Sequence, residues 1–298
     1  MLTAKNFLLA LIESLRLHHW IKNALIFVPL VLGGKTHSGD AWSATIMGLI
    51  ALGVMTSSSY LVNDVCDLSH DRSHWSKRER PIARGDLSTF AALFVASVGI
   101  TLSVAIAASI DRWAALMLLA YCALSVTYSV WLKRIPLLDV LILSTLFTFR
   151  LLFGTLLADV VASPWLLVFS MFVFTSLSLA KRHSETWRNG MRGEERVAGR
   201  GYFTKDCSFL FGLGLATAVA AVLFMALYLI HGIDPTFYSR PVLLWLVPII
   251  LSLWLGRVWL LVGRDDLEDD PILFSLTDSA SLCLGAGLAI VFLSAWQL

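Results

Sequence analysis

Residues 42–71 read WSATIMGLIALGVMTSSSYLVNDVCDLSHD. Positions 42–62 carry no charged side chain, and the run ends directly on Asn63, Asp64, Asp67 and Asp71. An apolar stretch of this length crosses the hydrocarbon core of a bilayer as a helix, so the acids lie where the chain leaves the membrane. Residues three, four and seven apart share one helix face, which predicts that the three carboxylates converge and repel one another unless a cation sits among them. Mg²⁺ answers that need, because it keeps several waters and is held by one or two carboxylates together with substrate phosphates. A solvated helix end with internal ion pairs is the alternative.

The rest of the chain agrees with a membrane setting. Of 298 residues, 57% are hydrophobic and 15% charged, and mean hydropathy is +0.76, whereas soluble domains carry about a quarter charged residues. Nine spans are predicted, at 20–32, 42–62, 88–110, 113–131, 136–157, 164–180, 209–230, 241–261 and 272–296. The first is short, and tilted or partly interfacial. No polar stretch is long enough for a second folded unit, so residues 1–298 read as one all-α, polytopic membrane domain.

Basic residues fall on alternate connections. One side carries 19 of the 23 Lys and Arg; Lys35, Arg112 and Arg240 lie on the other, and Arg150 lies within a span. The positive-inside tendency then places the N-terminus and the acidic motif in the cytoplasm and the C-terminus outside, in the cell inner (plasma) membrane. Residues 6–15 are apolar but include Glu13 and run into Arg16, His18 and His19. This is not the order of a cleavable signal, and an amphipathic interfacial helix is predicted. Cys66, Cys122, Cys207 and Cys283 are scattered and read as free thiols. The net charge of +2 hides a basic membrane face suited to anionic headgroups or phosphorylated substrates, and no nucleic-acid partner is expected. Whether the chain forms a homo-oligomer is left open.

Several cationic groups accompany the acids. Lys77, Arg78 and Arg80 follow the motif and suit phosphate oxygens, and Asn63 can orient a water or a sugar hydroxyl. After the sixth span come Lys181, Arg182 and Glu185, continuing through Arg188, Glu194, Glu195, Arg196 and Arg200 to Tyr202. Lys181 and Glu185 stand one helical turn apart, a phosphate-binding arrangement or, alternatively, positive-inside anchoring. Arg150 is expensive in a span unless it faces a cavity, a partner or an anion, so it is expected to point inward to a phosphate, an internal pair or an interface. Tyr128 and Lys133 close the fourth span; Arg16, Trp20, Lys22 and Asn23 open the first. Both groups suit either a substrate mouth or interfacial anchoring. The acidic run Asp265, Asp266, Glu268, Asp269 and Asp270, with Asp278 beyond it, shows no ligand spacing and reads as ordinary loop solvation.

The Asn63, Asp64, Asp67 and Asp71 pattern resembles the first signature of the UbiA superfamily of intramembrane prenyltransferases. The resemblance extends to Arg16, Trp20, Lys22, Asn23, the segment from Lys77 to Ile82, Tyr128 and Lys133. It implies transmembrane helices enclosing a central cavity open to the cytoplasm. The family's second signature is commonly another aspartate-rich run; here Lys181, Arg182 and Glu185 stand instead, and with Arg150 they resemble the decaprenyl-phosphate phosphoribosyltransferase branch. That branch implies phosphoribosyl pyrophosphate as donor and a polyprenyl phosphate as acceptor. Asp64, Asp67 and Asp71 would hold Mg²⁺ on the donor, with Asn63, Lys77, Arg78 and Arg80 completing its binding. Lys181, Arg182 and Arg150 would neutralise the second anion, and Glu185 would orient them or assist the metal. Lys22, Tyr128, Lys133 and Tyr202 complete the substrate contacts. The rival readings are prenyl transfer from a prenyl diphosphate to an aromatic or other acceptor, and an ion-coupled transporter, whose charges belong near the bilayer midplane.

Overall fold

The computed structural model describes residues 4–73, 77–197, 199–267 and 271–296. Among these residues there are helices and two isolated β-bridges, Arg196 with Phe203 and Tyr238 with Trp296, and no strand. The chain packs as two compact units, Met1–Ile142 with Phe149–Val161 and Leu143–Thr148 with Ala162–Leu298.

The first unit opens with α1 (Ala4–Leu15), a ten-residue 3₁₀ helix (Leu17–Ile26) and α2 (Phe27–Leu32). Then follow α3 (Gly39–Cys66), α4 (Leu68–Ser73), a 3₁₀ turn (Lys77–Glu79) and α5 (Pro81–Arg84). The helices α6 (Thr89–Ile110), α7 (Arg112–Val130) and α8 (Leu138–Leu157) come next, with a 3₁₀ turn at Leu132–Arg134 before α8, which contributes residues to both units. Side-chain caps start the long helices: Ser38 accepts from Ala41 N at 3.2 Å, Ser88 from Ala91 N at 3.2 Å and Asp111 from Trp113 N at 3.1 Å, each satisfying an amide that has no helical partner. At 28 residues, α3 is about 42 Å long against a hydrocarbon core of about 30 Å, so one end of it protrudes. Leu61, Ile82, Leu87, Ala92 and Ala96 form a buried cluster joined by Leu11, Leu15, Val62, Val65 and Leu68. That cluster ties α1 and α5 to the end of α3 that carries the acids. On α1, Ala10 and Ser14 are buried while Leu8, Leu9 and Ile12 are exposed.

The second unit contains α9 (Pro164–Met191), a 3₁₀ turn (Thr204–Asp206), α10 (Cys207–His231), α11 (Leu246–Gly263), α12 (Pro271–Thr277) and α13 (Ser279–Ala295). Pro164 starts α9, where a missing N–H costs nothing. Trp259 is enclosed between α9 and α10: its Nε1 donates to Ser176 Oγ at 2.9 Å, and Ser176 Oγ donates to Gly214 O at 2.9 Å.

Among the described residues, seven helices are long and apolar enough to cross a membrane, and the chain is a multi-pass membrane protein. Two of the nine expected spans are not single α-helices. The first, at 20–32, is a 3₁₀ helix followed by the six-residue α2, which stops where Gly34 takes a left-handed φ of 69°. The last, at 272–296, breaks at Asp278, whose extended backbone and side chain start α13 by accepting from Ser281 N at 2.8 Å.

In the first unit α8 passes close to the backbone at Ile26. A Cβ on Gly154 would lie 2.2 Å from the backbone oxygen of Ile26, whereas one on Gly212 would meet nothing within 4 Å. Gly154→Ala is expected to cost about 1–3 kcal/mol through overpacking and Gly212→Ala to be nearly neutral, read as thermal unfolding of the detergent-solubilised protein.

Candidate active site

The acids occupy the last turn of α3 and the start of α4. The run is not one continuous helix: α3 ends at Cys66 and Asp67 stands between the two helices, its carbonyl accepting from the amides of His70 and Asp71 at 2.9 Å. Asp64 and Asp71 share one cation, Arg80, and Asp67 takes another, Lys133.

Asp64 and Asp71 are each only 3% exposed. Arg16 Nη2 donates to both oxygens of Asp64 at 2.8 Å. Arg80 Nη1 bridges the two acids, 2.6 Å from Asp71 Oδ2 and 3.1 Å from Asp64 Oδ1. Asp67 pairs instead with the buried Lys133 ammonium. Local chain chemistry sets these positions. Arg80 precedes Pro81, which forces it into extended backbone with ψ 141° and begins α5. Arg16 takes a left-handed conformation, φ 50° and ψ 50°, a state that costs a non-glycine residue about 1–2 kcal/mol. Its guanidinium also lies 5.2 Å from the centre of the Tyr60 ring.

The 3₁₀ helix that follows is pinned to α3. Trp20 Nε1 donates to Ser57 Oγ at 2.9 Å, and Ser57 Oγ donates to Leu15 O at 2.7 Å. Deeper in the unit, Arg150 faces inward and is 5% exposed. Its Nε donates to Asn23 Oδ1 at 2.9 Å and an Nη to the Tyr121 hydroxyl at 3.3 Å, while Asn23 donates to Thr56 Oγ1 at 3.1 Å.

In the second unit Lys181, Arg182 and Glu185 lie on the last turns of α9. Arg182 is buried and ion-paired with Glu185, while Lys181 is half-buried. His183 Nδ1 lies 3.0 Å from Cys207 O and 3.2 Å from Cys207 Sγ. Tyr202 is buried in the connection to α10, its carbonyl accepting from Val197 N at 3.0 Å. Arg188 anchors the stretch after α11 by donating to Leu267 O at 2.6 Å and Asp265 Oδ1 at 3.2 Å.

A family model described as the UbiA prenyltransferase family matches residues 24–281. The chain belongs to the UbiA prenyltransferase family. Protein y4nM of Sinorhizobium fredii is 40% identical over 287 residues, 95% of this chain and 55% of that protein, so the chain spans little more than half that relative's length. Nodulation protein NoeC of Azorhizobium caulinodans is 32% identical, covering 94% of this chain and 92% of the relative. A decaprenyl-phosphate phosphoribosyltransferase of Mycolicibacterium smegmatis is 31% identical over 185 residues, 61% of this chain and 58% of the relative. Among solved structures, a UbiA homolog from Archaeoglobus fulgidus bound to GPP and Mg²⁺ matches with a TM-score of 0.73 at 15% identity, over 96% of this chain and 97% of that one. That likeness shows a UbiA fold.

Within this UbiA chain the structure sorts the predicted residues. Arg80 reaches the acids, whereas Arg78 is exposed and pairs with its neighbour Glu79 at 3.3 Å. Lys77 and Asn63 are half-buried, and Lys22 and Tyr128 are buried. Arg182, rather than Lys181, takes Glu185. Glu268, Asp269 and Asp270 lie outside the described residues. Sequence reasoning set Arg16 at the mouth without giving it a carboxylate, and it did not single out Tyr121. The available cues were a cation bordering the first span and a phenol in mid-span; their partners lie 48 and 29 residues away.

Among the described residues, no three Asp, Glu, His or Cys side chains are gathered as a ready-made metal site. The donor chemistry nevertheless fits Mg²⁺, since Asp64, Asp67 and Asp71 offer hard oxygens close together in the chain, each currently matched by Arg or Lys. Arg80→Ala leaves Asp71 buried without that partner and is expected to cost about 3 kcal/mol, while Arg78→Ala changes stability by less than about 0.5 kcal/mol. Thermal unfolding of the two variants measures the contrast.

Proposed function

We propose that this chain, working over residues 1–298 as one transferase domain, moves a 5-phosphoribosyl group from phosphoribosyl pyrophosphate to a polyprenyl phosphate and releases pyrophosphate. The reaction is placed at the cytoplasmic face of the cell inner (plasma) membrane and depends on Mg²⁺. The observation that carries the reading is the buried Arg182, paired with Glu185 beside Lys181, where the family resemblance leads one to expect a second acidic run. A cationic patch there suits a second phosphate in place of a second metal. The name of the mycobacterial relative supports the same assignment.

In this reading Asp64, Asp67 and Asp71 would hold the metal, and Lys22, Asn63, Lys77, Arg78, Arg80, Tyr128 and Lys133 bind the donor. Bound Mg²⁺ would neutralise charge on the departing pyrophosphate. Lys181, Arg182, Arg150 and Tyr202 receive the other phosphate, with Glu185 orienting Arg182. The bond from the anomeric carbon to the pyrophosphate oxygen breaks with its electron pair, and a lipid phosphate oxygen bonds to that carbon. The nucleophile is already an anion, so no strong base is required, and positioning and charge stabilisation supply the rate. The polyprenyl tail stays in lipid throughout.

A second reading, prenyl transfer from a prenyl diphosphate, draws support from the family description and from the relative bound to GPP. Donor choice separates the two. Purified protein given labelled phosphoribosyl pyrophosphate and polyprenyl phosphates is expected to form a ribosylated lipid. Asp64→Asn and Asp67→Asn are expected to lower product at least about a hundredfold with the fold retained, and chelation is expected to abolish product until Mg²⁺ is restored. Full activity without divalent metal, or product from a prenyl diphosphate alone, would overturn the assignment.

A further inference from the structure

The carboxylates of the first unit are already matched one for one by cations: Arg16 on both oxygens of Asp64, Arg80 between Asp64 and Asp71, and Lys133 on Asp67. A guanidinium spanning both oxygens of Asp64 occupies the positions a metal would use. We infer that Arg16, Arg80 and Lys133 are exchangeable counter-ions, displaced from the acids by a divalent cation only when a diphosphate is present to receive them. The inference rests on the reading of this motif as a metal–diphosphate site and adds Arg16 as a diphosphate-positioning residue.

Charge balance supplies the reason. Three carboxylates against three cations sum to zero in a place where Asp64, Asp71 and Lys133 are nearly withdrawn from water. A divalent cation alone would add two uncompensated positive charges there, and a diphosphate alone would strip the acids of their partners. Uncompensated buried charge is costly in either case. Together the two ligands offset most of each other's charge: the metal takes the carboxylates, and the released guanidinium and ammonium groups take phosphate oxygens, a geometry arginine favours. Arg16 and Arg80 keep a solvent edge, at 19% and 25% side-chain exposure, along which to move. Arg16 also sits at a left-handed joint before ten residues of 3₁₀ helix. Runs of 3₁₀ beyond three or four residues are uncommon and mark strain or a hinge.

The test is Mn²⁺ binding, followed by electron paramagnetic resonance on the full chain in detergent, with and without inorganic pyrophosphate. Pyrophosphate is expected to tighten Mn²⁺ binding to the wild-type protein by at least about tenfold. Arg16→Gln, and separately Arg80→Gln, are expected to tighten Mn²⁺ binding in the absence of pyrophosphate and to shrink the pyrophosphate effect, whereas Arg16→Lys restores wild-type behaviour. A merely structural loss would not strengthen metal binding. Equal Mn²⁺ affinity with and without pyrophosphate, or weaker or unchanged Mn²⁺ binding in folded Arg16→Gln and Arg80→Gln, would overturn the inference. Absence of Mn²⁺ binding under every condition would overturn both it and the metal–diphosphate reading. A failed phosphoribosyl donor assay with the synergy intact would remove only the choice of donor.

Discussion

Asp64 is a carboxylate held almost out of water at the end of a long membrane helix, and it persists there because positive charge is brought to it from two directions. An isolated ionised carboxyl in such a place would cost many kcal/mol. Arg16 arrives from the N-terminal side and Arg80 from the loop after α4, so the acid acts as the point to which two otherwise separate stretches of chain are tied. The left-handed backbone at Arg16, the pre-proline extension at Arg80 and the hydrogen bonds from Trp20 through Ser57 to Leu15 all serve that convergence.

A similar economy appears in the second unit, with the signs arranged differently. There α9 is also 28 residues long, and its last turns bury a cation, Arg182, compensated by a carboxylate three residues on. One unit thus presents a cluster of acids answered by remote bases, while the other presents a cationic stretch answered locally. A metal-bound diphosphate and a bare phosphate make these two demands: the first needs oxygen donors together with cations that can be released, the second only donors of positive charge. Each cluster lies at the end of a long helix that is apolar over most of its length.

The membrane class was legible in the sequence because hydropathy and length are local and the bilayer thickness is fixed. Seven crossings of that kind stand among the described residues. The first and last expected spans read as continuous because apolarity counts residues and is blind to backbone conformation. A change from 3₁₀ to α at Phe27 divides the first, and the side-chain cap at Asp278 divides the last. The acidic motif was visible as a pattern, and Arg150 was recognisable as an inward-facing cation. That Arg150 donates to Asn23 and Tyr121 depended on helices brought together by packing.

What the amino-acid sequence alone determined is therefore the set of local quantities: apolar runs long enough to span and the residue types clustered at helix ends. Tertiary structure decided the pairing. Asp67 pairs with Lys133, 66 residues on, while Arg16 closes on Asp64 across 48 residues. Spacing along a helix describes a few turns, but the partner of a buried charge is whichever opposite charge the folded chain can bring within hydrogen-bond reach, and that distance is set by packing between elements far apart in sequence.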